Sequence, residues 1–201
     1  NQLRTNLARL NADGSVDLSY DVTIAGSFTN VDHTVIQSDG SLLIGGSFST
    51  VEGSVRIDIA RVDTGGNLDA SFNPIVDNEV RQIAVQSNGK IIIAGSFQTV
   101  NGSPSIRVAR LNADGSSDLT FSTLVGPNNI VRGMALNSSN QVVIGGDFQS
   151  VGTAARNHLA VLNTDGSNDV TFAASTGANG TVYTTAVQPD GKIIVAGYFT
   201  S

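Results

Sequence analysis

The chain has 201 residues, no cysteine and a net charge of −6. That length buries a core without staples, and the missing cysteines exclude a disulfide scaffold and any thiolate metal site. The acidic balance argues against nucleic acid, whose phosphates need a basic stripe, and no apolar run approaches the roughly 20 residues of a membrane helix, so this segment carries no membrane span.

Taken in order, the elements repeat. Residues 4–10 and 17–20 read as two strands joined by a tight turn, and the text ARLNADGSVDLSY from Ala8 returns from Ala60, Ala109 and Ala160, at offsets of 52, 49 and 51. A second phrase keeps step: LLIGGSF from Leu42, IIIAGSF from Ile91, VVIGGDF from Val142 and IIVAGYF from Ile193. A period near 50 residues made of short strands and Gly-rich turns means a propeller or related array. We therefore expect an all-β fold, a β-propeller of four-stranded antiparallel blades, with one blade split between the termini. The single array of residues 1–201 divides into a half blade (1–20), three complete repeats (21–72, 73–121 and 122–172) and a second half blade (173–201).

In the repeat that reads most clearly, the strands are expected at 80–86, 91–97, 106–111 and 118–121. The second is apolar throughout rather than alternating, as in a strand covered on both faces. The last half blade supplies strands at 182–188 and 193–199. A chain that opens at Asn1 in mid-repeat reads as a mature or excised piece of something longer. Its two half blades either pair with each other or pair with another chain or further repeats, and the mid-repeat opening favours the second.

The turns have a mechanism. Gln188-Pro189-Asp190-Gly191 is a type I turn followed by a left-handed glycine, a three-residue hairpin loop closing with a bulge. Asn112-Ala113-Asp114-Gly115 makes the same turn between strands three and four. If Asn112 pairs with Ser116, then Leu111 faces Ser117 and Arg110 faces Asp118. The same count pairs Arg9 with Asp17 and Arg61 with Asp69. These ion pairs are expected at the surface. Val161 stands opposite Asp169, which must find other donors.

The phrases LNADGSxD, with an aromatic three residues on, and Q-x-D-G-K-I-I-I-A-G-x-F resemble the delta-60 repeat, a bacterial β-propeller family. The Gly pairs Gly45-Gly46 and Gly145-Gly146 are also similar to kelch blades, without the kelch Tyr and Trp landmarks. The resemblance spans residues 7–199. It implies the propeller fold and an extracellular or cell-surface address in a bacterium, and it supplies no catalytic residues.

Candidate chemistry is sparse. Asn112, Asp114 and Asp118 gather oxygens in a way that suggests calcium, but the Gly follows the second oxygen position rather than the third. Hairpin chemistry for Asp114 and an Arg110 partner for Asp118 account for the same residues, so no metal or other cofactor is expected. His33 and His158 occupy different repeat positions, with no carboxylate at ligand spacing. There is no G-x-S-x-G, Walker loop or G-x-G-x-x-G.

A binding surface is better signalled. One residue after each strand-one valine the chain varies sharply: Asp32, Arg81, Arg132, Tyr183. With Asn129 these form the candidate ligand or partner surface, near the mouth of the channel on the long-loop face. Arg4, Arg56 and Arg156 suggest a second, solvated ring. The expected function is a non-enzymatic structural or adhesive module of a secreted or surface repeat protein, whose partners are other protein chains or further repeats. A glycan-binding propeller is the alternative, weakened by three Tyr and no Trp. A propeller enzyme such as a polysaccharide lyase or hydrolase comes third.

Overall fold

The computed structural model describes residues 4–122, 126–172 and 177–201. Parts of the expected long connections 122–130 and 173–181, and the first three residues of the first half blade, lie outside the described residues.

The first stretch contains β1 (Ile24–Ala25), β2 (Asn30–Ile36), β3 (Leu42–Ser47), β4 (Thr50–Val51), β5 (Ser54–Val55) and β6 (Ile59–Val62). The next contains β7 (Val80–Val85), β8 (Ile91–Gly95), β9 (Thr99–Val100), β10 (Ser103–Pro104) and β11 (Val108–Leu111). It is followed by β12 (Val131–Leu136), β13 (Val142–Gly146), β14 (Ser150–Val151), β15 (Ala154–Ala155) and β16 (Leu159–Leu162), then β17 (Val182–Val187) and β18 (Ile193–Gly197). Antiparallel sheets β2-β3-β6, β7-β8-β11 and β12-β13-β16 are three successive blades, and β17-β18 begins a fourth. Among the described residues there is no helix long and apolar enough to cross a membrane.

Each tight turn forms as its residues dictate. Asn112 N–H donates to Ser116 O at 2.8 Å and Gly115 N–H to Asn112 O at 2.9 Å, and the same pair of bonds recurs from Asn11 to Gln188. Gly115 sits at φ +88°, and Asn140, standing where other repeats have Gly, at φ +58°.

The fourth strand is shorter than expected. It survives as one bridge per blade, Leu111↔Ser117 in the second. Asp118 Oδ1 then accepts the N–H of Thr120 at 3.0 Å and its hydroxyl at 2.7 Å. Phe121 N–H donates back to Asp118 O at 3.1 Å, curling the chain away before a ladder can extend. Strand three also starts late, at Val108, because Arg107 is held at φ +62°.

The expected two-three loop at 98–105 is instead a ribbon, β9 with β10, turned by Asn101 (φ +51°) and Gly102 (φ +75°), the I′ pattern of an Asn-Gly hairpin. In the first blade β1 adds a strand to the equivalent ribbon.

The cores lie between blades. Leu43 and Ile59 of the first blade meet Val80, Ile83, Ile91 and Ile93 of the second, and Ile92, Ala94 and Val108 on the other face meet Val131, Val142 and Ile144 of the third. β8 is buried at every position, as a strand covered on both faces must be. The first strands are the innermost, with β2, β7, β12 and β17 in contact in succession. A Cβ on Gly133 would come 2.7 Å from Thr184 Cα.

Candidate functional site

The four variable residues of the strand-one starts share a backbone device. In every blade the register between strands one and two slips at that point, between Val31 and His33, Val80 and Gln82, Val131 and Gly133, and Val182 and Thr184. Asp32, Arg81, Arg132 and Tyr183 are thus the extra residues of β-bulges, which break the alternation of the strand and re-aim one side chain. The glycine across from each bulge follows from it. A Cβ on Gly46, Gly95, Gly146 or Gly197 would lie 2.1 Å from the carbonyl oxygen of Asn30, Glu79, Ile130 or Thr181. Glycine is required at this position because the bulged strand crowds the backbone there.

The bulges line up along the inner strands into one polar row. Asp32 accepts from Asn30 Nδ2 at 2.7 Å. Its carboxyl is pushed up to about 6, first by burial and then by the Glu79 carboxylate beside it. Glu79 is ion-paired to Arg81. Arg132 Nε donates to both oxygens of Asp147 at 2.9 Å, and Thr181 Oγ1 donates to Asp147 at 2.9 Å. Hydrogen bonds from Arg132 hold the Asp147 carboxyl below its ordinary range. The Arg132 guanidinium lies 5.6 Å from the centre of the Tyr183 ring, which is 53% exposed.

Four of the five expected surface residues therefore fall into two groups, Asp32 and Arg81 on either side of Glu79 and Arg132 over Tyr183. Asn129 does not join them: its Oδ1 accepts the N–H of Ile130 at 2.8 Å, capping the entry to the strand, as Asn78 does for Glu79. Glu79, Asp147 and Thr181 were not singled out in the sequence. Asp147 was findable, since the position after this glycine varies as Ser47, Ser96, Asp147 and Tyr198.

The Arg–Asp pairs form in the expected register, with Nε to Oδ2 distances of 2.8 Å for Arg9–Asp17, 2.8 Å for Arg61–Asp69 and 2.6 Å for Arg110–Asp118. They are not all at the surface. Arg110 is 8% exposed, because it stacks on Phe121 within its own repeat and sends Nη1 to Thr164 O in the next blade at 2.7 Å. Arg61 likewise reaches Ala113 O at 2.6 Å and Arg9 reaches Thr64 O at 2.6 Å. Each arginine staples its blade to the neighbour's turn. Asp69 is lowered to about 2, chiefly by the Ser71 hydroxyl and, against burial, by Arg61. Asp169, facing Val161, accepts from Thr171 and from Gln141 Nε2 at 3.1 Å.

The side chains considered for calcium have partners within the chain. Asp114 Oδ1 accepts from Ser116, Asn112 Nδ2 donates to Ser116, and Asp118 faces both Arg110 and Lys90. Arg56 and Arg156 are not a solvated rim, for their guanidinia cap the carbonyls of Asp69 and Asp169 at 3.2 Å. His33 is half-buried, and burial pushes its pKa down. His158 Nδ1 sits 2.9 Å from Gly146 O.

No curated protein matches the chain in sequence. Among solved structures, the WD40 β-propeller domain of Doa1 superposes with a TM-score of 0.60 at 17% identity, covering 91% of this chain and 51% of that one. The likeness is of fold, and the chain spans about half the length of that domain. The model of a β-propeller domain of unknown function, DUF5122, matches residues 1–20, 37–72, 86–121, 138–172 and 188–201, one segment in each of the two half blades and three complete repeats read from the sequence. The chain belongs to this β-propeller family, whose repeat is the delta-60 type.

Proposed function

We propose that this propeller is a non-catalytic recognition scaffold, part of a bacterial repeat protein displayed outside the cell or on its surface, and that it holds other protein chains through the bulge row. One observation carries the reading. The same bulge recurs in four blades while the residue it presents changes from acid to base to aromatic, so an unvarying frame displays a varied surface. The row mixes Asp32, Glu79, Arg81, Arg132, Asp147 and Tyr183, chemistry suited to a peptide with both charged and apolar side chains. No serine, histidine or lysine in it is placed beside a base or ligand set that would activate it.

The test is selection from a displayed peptide library, run beside a glycan array. The comparison protein carries Arg81→Ser, Arg132→Ser and Tyr183→Ser. We expect low-micromolar peptides that bind the parent and lose at least tenfold on the variant while its circular dichroism is unchanged. Specific glycan binding without peptide binding would replace this reading with a lectin.

A further inference from the structure

One contact recurs in the second and third blades, and the first blade lacks it. Ser41, Lys90 and Gln141 occupy the same repeat position, just after the turn between strands one and two. In the second blade the Lys90 ammonium donates to Asp118 Oδ2. In the third, Gln141 Nε2 donates to Asn163 Oδ1 at 3.0 Å and to Asp169 Oδ2 at 3.1 Å. A donor nitrogen thus sits against the turn after strand three in both. In the first blade Ser41 is too short to reach across, and its hydroxyl turns back to Asp39 Oδ1 at 2.7 Å. A cavity of about 450 Å³ stands in place of the longer side chain, lined by Ser41, Val62, Asp63, Leu68 and Asp69 and by Ala113 of the next blade. The Asp69 side chain is accordingly 28% exposed where that of Asp118 is 5%.

We propose that this cavity binds a primary alkylammonium, whose nitrogen takes the place that Lys90 and Gln141 fill in the next two blades. Asp63 and Asp69 stand at the positions of Asn163 and Asp169, the pair that receives the Gln141 amide, so the acceptors are already in register. Charge agrees with this. Asp39, Asp63 and Asp69 against Arg61 leave two negative charges unmatched around the cavity. The second blade replaces Asp39 and Asp63 by Asn88 and Asn112, and adds Lys90 to Arg110. Hydrogen bonds from Ser41, Asn67 and Ser71 hold the three carboxyls of the first blade below their ordinary range, so all are ionised at neutral pH.

The donor pattern selects an ammonium over a metal ion. Asp63 already accepts from Gly65 and Asn67, Asp69 from Ser71 and Arg61, and Asp39 from Ser41. What remains are single lone pairs for hydrogen bonds, not the roughly six to eight oxygens that calcium takes. Buried Val62 and half-buried Leu68 give the methylene stem an apolar wall, where the next two blades have Ser117 and Asn168 in place of Leu68. A free diamine and a lysine side chain of another protein carry the same group. The cavity lies at the turn end of the blades, away from the bulges, and does not depend on what the bulge row holds.

The test is an NMR titration of the isotope-labelled chain, at constant ionic strength, with 1,5-diaminopentane, n-butylamine, Nα-acetyl-lysine amide and calcium chloride. The amines should give saturable shifts of the backbone amides at 39–41, 63–69 and 113, half-complete at about 1 mM. Amides at 30–33 and 79–82 should not move. Ser41→Lys should abolish the shifts, because its own ammonium then fills the cavity. If that variant fails to fold, Ser41→Gln, which copies the third blade, should do the same. Asp63→Asn should weaken binding severalfold. Tighter binding of the diamine identifies a free amine as the ligand, and tighter binding of the lysine amide identifies a lysine of another chain; either result upholds the site. The absence of a saturable shift with every amine overturns the proposal, as does a shift that survives both Ser41 variants. The same shifts produced by calcium at lower concentration than by the amines also overturn it, in favour of a metal.

Discussion

Gly95→Ala is the substitution that most sharply exposes the role of the bulges. The new methyl carbon would lie 2.1 Å from Glu79 O and 3.1 Å from Arg81 N. A carbon–oxygen contact relaxes at about 3.2 Å, so strand one must draw back by about 1 Å. That movement strains the bond from Ser96 N–H to Glu79 O, now 3.1 Å, and the Val80↔Gly95 register beside it. Overpacking of backbone plus one weakened hydrogen bond costs about 3 kcal/mol. Gly89→Ala is the control. Gly89 has φ +80° and nothing within 4 Å, so only the left-handed strain applies, about 1 kcal/mol. In urea titrations followed by circular dichroism, Gly95→Ala should lower the midpoint about three times as far as Gly89→Ala, with unchanged slope. Equal shifts would mean that the bulge does not force the glycine opposite it.

Other substitutions probe the staples and the row. Arg110→Ala removes a buried partner of Asp118, but Lys90 remains, so the loss should be about 2 kcal/mol. Arg9→Ala, at a more exposed pair, should cost less than about 1 kcal/mol in the same melts. Asp32→Asn should have a pH signature. Because burial and Glu79 raise the folded-state pKa from 3.8 to about 6, the native carboxylic acid is favoured and its contribution is lost as pH rises through that value. The melting temperature of the Asn variant should match the parent below pH 4 and exceed it increasingly toward pH 7. A gap that opens on acidification instead would refute the pairing with Glu79, Arg81 and Asn30. Calcium or EDTA should leave the parent melting temperature unchanged, and a drop of several degrees in EDTA would reassign Asn112, Asp114 and Asp118 to a metal.

What was legible in the sequence was local. Asn-x-Asp-Gly fixes turn type and thereby the Arg110–Asp118 register, because both are set by residues eight apart. The propeller followed from the period alone. Less visible were features that depend on main-chain atoms of other blades. The acceptors of the Arg9, Arg61 and Arg110 staples are carbonyls of Thr64, Ala113 and Thr164, and a carbonyl leaves no residue signature. The short fourth strand had the same origin, since Asp118 spends its second oxygen on Thr120 rather than continuing a ladder. The ribbons at Glu52-Gly53 and Asn101-Gly102 did carry a hairpin signal, obscured by the length of the segments that hold them. Comparing repeats picked out Asp32, Arg81, Arg132 and Tyr183 as variable. That they are bulge residues needed the paired strands, although Gly46, Gly95, Gly146 and Gly197 opposite them were the trace of it.

The central claim is that the bulge row is where partners are held, and hydrogen exchange with a selected peptide bound measures this most directly. Binding should slow exchange at residues 30–33, 79–82, 130–133 and 181–184, the starts of the inner strands. The tight turns at 11–15, 63–67, 112–116 and 163–167 should be unchanged. Protection confined to those turns would place recognition on the opposite face and contradict the account.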